Sequence, residues 1–245
     1  LVGGWLTGSL ALLADAGHMA IDVVAVTLGI FALWIAQLPP TTEKTFGYYR
    51  AEILVALVNG ALLFAVSLWI ILEALGRFGN PPTLNGPMMT WIAAGGLVVN
   101  GVGLLVMSRE KRDNLNARAV WLHLLSDALG SVTAILAGIL VWKFDWYLAD
   151  PIISIFIALL ILYGSCRLLL ECVNVLLEGV PKGMNLSEIR KCIESVKSVV
   201  EVHDLHLWTV TSGVPALSAH VRVGQAADHG KILGDITLLL KEQYR

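Results

Sequence analysis

Two stretches of the chain, residues 12–36 and 117–142, are apolar over a length that crosses a bilayer, and both are interrupted in the same way. The first holds His18 and Asp22, the second His123 and Asp127. Four residues along a helix advance about 6 Å and return to nearly the same face, so each pair can close on one ligand. Ionisable groups in a membrane segment are costly unless they face a partner or a water-filled path. A single pair could be met by an interhelical hydrogen bond. The same pair on two helices, laid side by side, would bring two imidazoles and two carboxylates to one point, a donor set that suits a four-coordinate zinc-like ion.

The remaining pattern predicts further spans. Residues 1–6 read as the end of a first, truncated span, since about twenty residues are needed to cross a bilayer. Thr7-Gly8-Ser9 turns into the second span, and Pro39-Pro40 lies past its end. Spans three to six are expected at about 47–75, 88–107, 117–142 and 150–177, with Asn80-Pro81-Pro82 and Asn85-Gly86-Pro87 marking a loop. From Pro181 the period shortens. Asn185 followed by Glu188 reads as a helix cap, and Leu186, Ile189, Ile193 and Val196 keep helical spacing. Period-two strands follow at about 202–211 and 216–223 around Ser212-Gly213. A last helix at 226–244 stacks Ile232, Leu233, Ile236, Leu239 and Leu240 on one side. The division is thus a transmembrane domain over residues 1–180 and a soluble α-β-β-α domain over 181–245.

Composition agrees: of 245 residues 56% are hydrophobic and 15% charged, which excludes an ordinary soluble domain. A net charge of −2 and the lack of a basic run give no sign of nucleic acid. Lys44, Arg50 and the cluster from Arg109 to Arg118 follow spans two and four, whereas the other loops offer only Arg77 and Lys143. The basic side faces the cytoplasm, which places the tail there too. Cys166, Cys172 and Cys192 have no ligand spacing and read as reduced structural thiols.

Several runs together make the chain resemble the cation diffusion facilitator family, of the zinc-transporter type. They are GSLALLADAGH from Gly8 to His18, Asp22, Phe46-Gly47 with Arg50-Ala51-Glu52, His123 with Asp127, Asp150-Pro151, and His203-Asp204-Leu205-His206-Leu207-Trp208. The resemblance implies six membrane helices, a ferredoxin-like metallochaperone-type cytoplasmic domain whose last strand is missing here, and a homodimer in the cell membrane exporting divalent metal for protons. It implies His18, Asp22, His123 and Asp127 as the transport site, and Arg50 with Glu178 as a charge pair near the dimer interface.

The proton coupling also follows from charge. Two carboxylates and two neutral imidazoles cancel a divalent cation, so the loaded site is neutral and cheap to bury. Both ligand types bind metal only when deprotonated, so protons replace metal released into an acidic compartment. Imidazoles disfavour Mg²⁺ and Ca²⁺, and the lack of thiolate disfavours Cu(I). Zinc leads, with Cd²⁺ and Co²⁺ next. No Walker loop occurs, so the chain carries no sign of an ATP-driven enzyme. In the tail, a hairpin centred on Gly213 would set His206 opposite His220, about 5 Å apart at Cβ, as a second zinc site with His203 beside it. Two other readings stay open: His18 and His123 as axial haem ligands of an electron carrier, to which the carboxylates would contribute nothing, and a metal sensor that does not transport.

Overall fold

The computed structural model describes residues 2–108, 115–211, 213–225 and 228–244, and in the fifth helix it leaves out the side chains of 115–120, 122 and 123. The elements run α1 (Val2–Thr7), α2 (Leu10–Ala36), α3 (Ala51–Arg77), α4 (Gly86–Met107), α5 (Leu115–Phe144), α6 (Ala149–Leu176), α7 (Leu186–Glu194), β1 (Val199–Thr211), β2 (Val214–Val223) and α8 (His229–Gln243). Among the described residues five helices, on α2 to α6, are long and apolar enough to cross a membrane. Their outward faces are apolar, with Trp91, Val98, Val102 and Leu105 of α4 exposed, as lipid contact demands. The chain is a multi-pass membrane protein with an α+β C-terminal domain.

Two compact units emerge. One comprises Leu1–Thr27 with Val58–Arg167, the other Leu28–Leu57 with Leu168–Arg245. In the first, small residues let helices approach. Ala11 and Leu12 of α2 pack with Met89 and Ala93 of α4 and with Ala134 and Ala137 of α5. Ala14 packs with Ile70 of α3 and Ala158 of α6. The tightest approach is between α4 and α5, where a Cβ on Gly86 would meet Trp142 N at 2.7 Å and one on Gly138 would meet Thr90 N at 3.0 Å. Gly29 and Gly95 face open space, whereas Gly96 lies near Ser131 Oγ. Thr27 Oγ1 donates to Val23 O of its own helix.

The start of α2 is held from afar. Gly8, with φ of +69°, turns the chain out of α1, a conformation glycine adopts without steric cost. Ser9 Oγ accepts from Leu12 N at 3.2 Å as a local cap. Asp150, at the head of α6, accepts from Ser9 Oγ at 2.5 Å, Leu10 N at 2.8 Å and Ala11 N at 3.2 Å.

In the second unit Asn185 caps α7 by accepting from Ser187 N, and its amide donates to Glu188 Oε1. The core joins Ile189 and Ile193 of α7, Val202, Leu205 and Leu207 of β1, and Ile232 and Ile236 of α8. Leu233, expected on the buried side of α8, is exposed. The two strands are antiparallel, and the turn joins Thr211 to Val214 with Gly213 at φ of +74°.

The hairpin register corrects the expected histidine pairing. His203, not His206, lies opposite His220, and His206 lies opposite Ser218. Three shifts combine. The turn brings Thr211 against Val214, and β1 takes up one extra residue between Thr209 and Thr211 and another between His203 and His206, each a bulge that turns the side chains beyond it to the other face. The core requires the latter: Val202, Leu205 and Leu207 are buried, and an unbroken strand would have turned Asp204 inward instead of Leu205.

Candidate metal centre

His18 and Asp22 occupy one face of α2 one turn apart, and the distance from His18 Nδ1 to Asp22 Oδ2 is 3.0 Å. Their side chains are 24% and 27% exposed, which leaves a path for a hydrated ion. Asp127 of α5 completes the described part. One ligand atom from each of His18, Asp22 and Asp127 lies within 4.8 Å of the others. Ligand atoms round a tetrahedral zinc stand about 3.4 Å apart, so a modest contraction closes the three on an ion. His123 lies on α5 one turn before Asp127, and its side chain is outside the described residues.

Asp127 is 9% exposed, and a buried carboxylate demands a counter-charge or hydrogen bonds. Asp15, which the pattern reading passed over, occupies the same face of α2 as His18 and Asp22. A Cβ on Gly130 of α5 would lie 3.1 Å from its Oδ1. The spacing of Asp15, His18 and Asp22, three and then four residues, was the signal for it. Gly130 thus leaves room for a second α2 carboxylate, beside Asp22, against α5.

A second cluster lies on the hairpin. His203 Nδ1 is 3.2 Å and His220 Nδ1 3.4 Å from the same oxygen, Asp204 Oδ2. The rings meet edge to face with centroids 5.3 Å apart. Ligand atoms of His203, Asp204 and His220 again fall within 4.8 Å of one another, and all three residues are exposed. The hydrogen bond to His203 holds the Asp204 carboxyl below its ordinary range, with nearby His220 and His206 acting in the same sense. Asp204 was not expected as a ligand. Its left-handed φ of +49° inside the bulge is what aims it between the imidazoles. His206, one of the expected ligands, is not part of this cluster and stands beside Glu178 and Trp208 in the wall of a separate cavity of about 600 Å³.

Arg50 and Glu178, 128 residues apart in sequence, do come together, with Nη2 donating to Oε1 at 2.9 Å. Beside them Thr211 Oγ1, at the end of β1, donates to Glu52 Oε2 in the first turn of α3 at 2.6 Å. The three cysteines are free thiols, and burial pushes the Cys192 thiol up.

Comparison with known proteins agrees with both halves of this picture. Residues 1–177 match the cation efflux transmembrane domain, and residues 181–245 match the cation efflux protein cytoplasmic domain. A cadmium, cobalt and zinc/H(+)-K(+) antiporter of Bacillus subtilis (strain 168) is 45% identical over 224 residues, 91% of this chain and 72% of the relative. The zinc transporter ZitB of Escherichia coli (strain K12) is 41% identical over 249 residues, covering 100% of this chain and 79% of the relative. The metal cation efflux system protein CzcD of Cupriavidus metallidurans (strain CH34) is 40% identical over 90% of this chain and 70% of the relative. With long apolar helices that bring His18, Asp22 and Asp127 together and an α+β domain at the C-terminus, the chain belongs to the cation efflux family, the cation diffusion facilitators.

Proposed function

We propose that this chain exports Zn²⁺, and also Cd²⁺ or Co²⁺, from the cytoplasm in exchange for protons, with the ion held by His18, Asp22, His123 and Asp127. The observation that carries the reading is the convergence of His18, Asp22 and Asp127 from two membrane helices within 4.8 Å. The names of the relatives, which include zinc, cadmium and cobalt antiport, support it.

The chemistry follows from the donor set. Asp22 and Asp127 ionised, with neutral imidazoles, balance a divalent ion, and the loaded site carries no net charge into the low dielectric. When the ion leaves toward the more acidic side, the two carboxylates lose its charge while still close together, and protons bind in its place. Alternating access exposes the loaded site to one side and the protonated site to the other. Because α2 supplies two ligands and α5 the rest, the two helices move together while the ion is bound.

The cytoplasmic domain is residues 181–245, following a transmembrane domain over 1–180. In it His203, Asp204 and His220 hold a second, resident zinc, whose two imidazoles and one carboxylate suit that ion. The domain pairs with a second copy, and Arg50 with Glu178 lies near that interface.

Reconstituted protein in sealed vesicles, loaded with a pH-sensitive dye and offered zinc with and without internal potassium, tests the transport site. Asp127→Ala abolishes zinc-dependent proton flux. Flux equal to that of the unaltered protein removes Asp127 from the site.

A further inference from the structure

We propose that Asp150 is a positioning residue for the metal centre. It fixes the height and rotation of α2 so that His18 and Asp22 keep facing Asp127. The inference rests on the reading that His18 and Asp22 hold the transported ion.

Asp150 is fully buried, the second residue of α6, and its carboxylate serves α2 rather than its own helix. The first amides of any helix lack partners within it. In α2 each of them is accounted for. Leu10 N donates to Asp150 Oδ2 and Ala11 N to Asp150 Oδ1, Leu12 N donates to Ser9 Oγ, and Leu13 N makes the first bond to a backbone carbonyl, that of Ser9. The Ser9 hydroxyl donates its own proton to Asp150. Helix caps normally come from the preceding residue. Here part of the cap comes from 139 residues away, which turns a local hydrogen bond into a tie between two helices.

The charge is matched on the spot. Arg77, the last residue of α3, reaches within 3.9 Å of Asp150 Oδ2, donates to the carbonyl of Gly8 and is itself braced by Glu73. The start of α2, the end of α3 and the start of α6 thereby meet at one carboxylate. A buried charge with this many partners is expensive to move, since any slip leaves it uncompensated.

Both carboxylate oxygens are used, and the donors are three consecutive residues, the cap Ser9 and the first two residues of α2, Leu10 and Ala11. A turn of α2 about its axis breaks these bonds together. His18 lies nine residues beyond Ser9, about 13 Å along the axis, too far for Asp150 to be a ligand but within one rigid segment. A rotation of about 20° would carry a side-chain atom about 6 Å from the axis roughly 2 Å sideways, whereas a metal site tolerates about 0.5 Å.

The test uses the full chain in vesicles, with zinc as the probe, and separates KM, maximal rate and the pH midpoint of transport. Asp150→Asn keeps the shape but sets an amide group against a backbone N–H of Leu10 or Ala11. Ser9→Ala removes one tie and Ser9→Thr keeps the hydroxyl. Asp150→Asn and Ser9→Ala each raise the zinc KM about tenfold, the scale of losing an outer partner of a metal ligand. Ser9→Thr stays near the wild-type value, and the pH midpoint does not move in any of them. A wild-type KM in both Asp150→Asn and Ser9→Ala overturns the inference, as does a shifted pH midpoint in Asp150→Asn, which would make Asp150 a proton carrier. Should Asp150→Asn fail to fold, Ser9→Ala and Ser9→Thr decide alone. His18→Ala is run alongside: wild-type transport there sinks the metal-site reading itself, whereas an inactive His18→Ala with an unchanged KM in Ser9→Ala sinks only the anchor.

Discussion

At the scale of single residues, Asp204 shows how one backbone conformation creates a site. A non-glycine residue at φ of +49° is uncommon, and Asp is among the residues that tolerate it. Placed in the bulge, it turns its carboxylate to His203 and His220. Its lowered pKa is the usual carboxylate case: the stabilising contact is fully present above the ordinary value of 3.8 and is lost as pH falls through the lowered value. An NMR titration of the Asp204 carboxyl is therefore expected to give a midpoint below 3.8. A midpoint at or above that figure would contradict the contact. In a His18→Ala background, where only the cytoplasmic cluster reports, His220→Ala weakens zinc binding at least about tenfold by calorimetry, given that even outer partners of a ligand cost that much. His206→Ala changes it less than about twofold; equal losses in the two variants would restore the His206 pairing that the hairpin register rules out. The clue was in the sequence all along: apolar Val202, Leu205 and Leu207 break period two at Asp204.

At the scale of elements, the spans were legible because a bilayer admits few alternatives. A run of about twenty apolar residues must be a helix, since lipid offers no partner for unpaired backbone groups. What pairs with what was not legible, because every face of such a helix is apolar. Gly95 and Gly86 look alike in sequence. Only Gly86 is pressed against another helix, with backbone atoms of Trp142 and Gly138 at 2.7 Å and 2.9 Å from where its Cβ would be. Gly86→Ala is accordingly expected to destabilise the protein by about 1–3 kcal/mol, the usual cost of overpacking. Gly95→Ala, with nothing within 4 Å, should stay within about 0.5 kcal/mol. Thermal unfolding in one detergent compares the two directly; similar melting temperatures would mean that α4 and α5 are farther apart than described.

At the scale of the whole molecule, contacts between distant parts of the chain matter most. The side chains of Arg50 and Glu178 are 38% and 61% exposed. Their attraction therefore contributes under about 1 kcal/mol and cannot hold a fold by itself. It can hold an arrangement in which the head of α3 sits by the end of α6. Arg50→Glu is expected to lower zinc flux with little change in melting temperature, and Arg50→Glu combined with Glu178→Arg to recover it. Failure of the combined change to recover flux would show that the pairing itself is not what transport needs. Proton competition acts at this scale too: with ligands that bind metal only when deprotonated, acidifying the zinc-loading side raises the zinc KM, and acidifying the opposite side speeds turnover. Vesicles with independently buffered faces measure both.

The sequence by itself determined the spans, the soluble tail, the sidedness and the paired His and Asp residues, because hydropathy, charge bias and helical period are local properties that neighbours in the chain carry. The tertiary structure alone decided that Asp127 meets His18 and Asp22, that His203 rather than His206 faces His220, and that Asp150 caps a helix more than a hundred residues away. Each of these depends on which faces pack and on where one extra residue is absorbed in a strand, and neither is written in the spacing of any single segment.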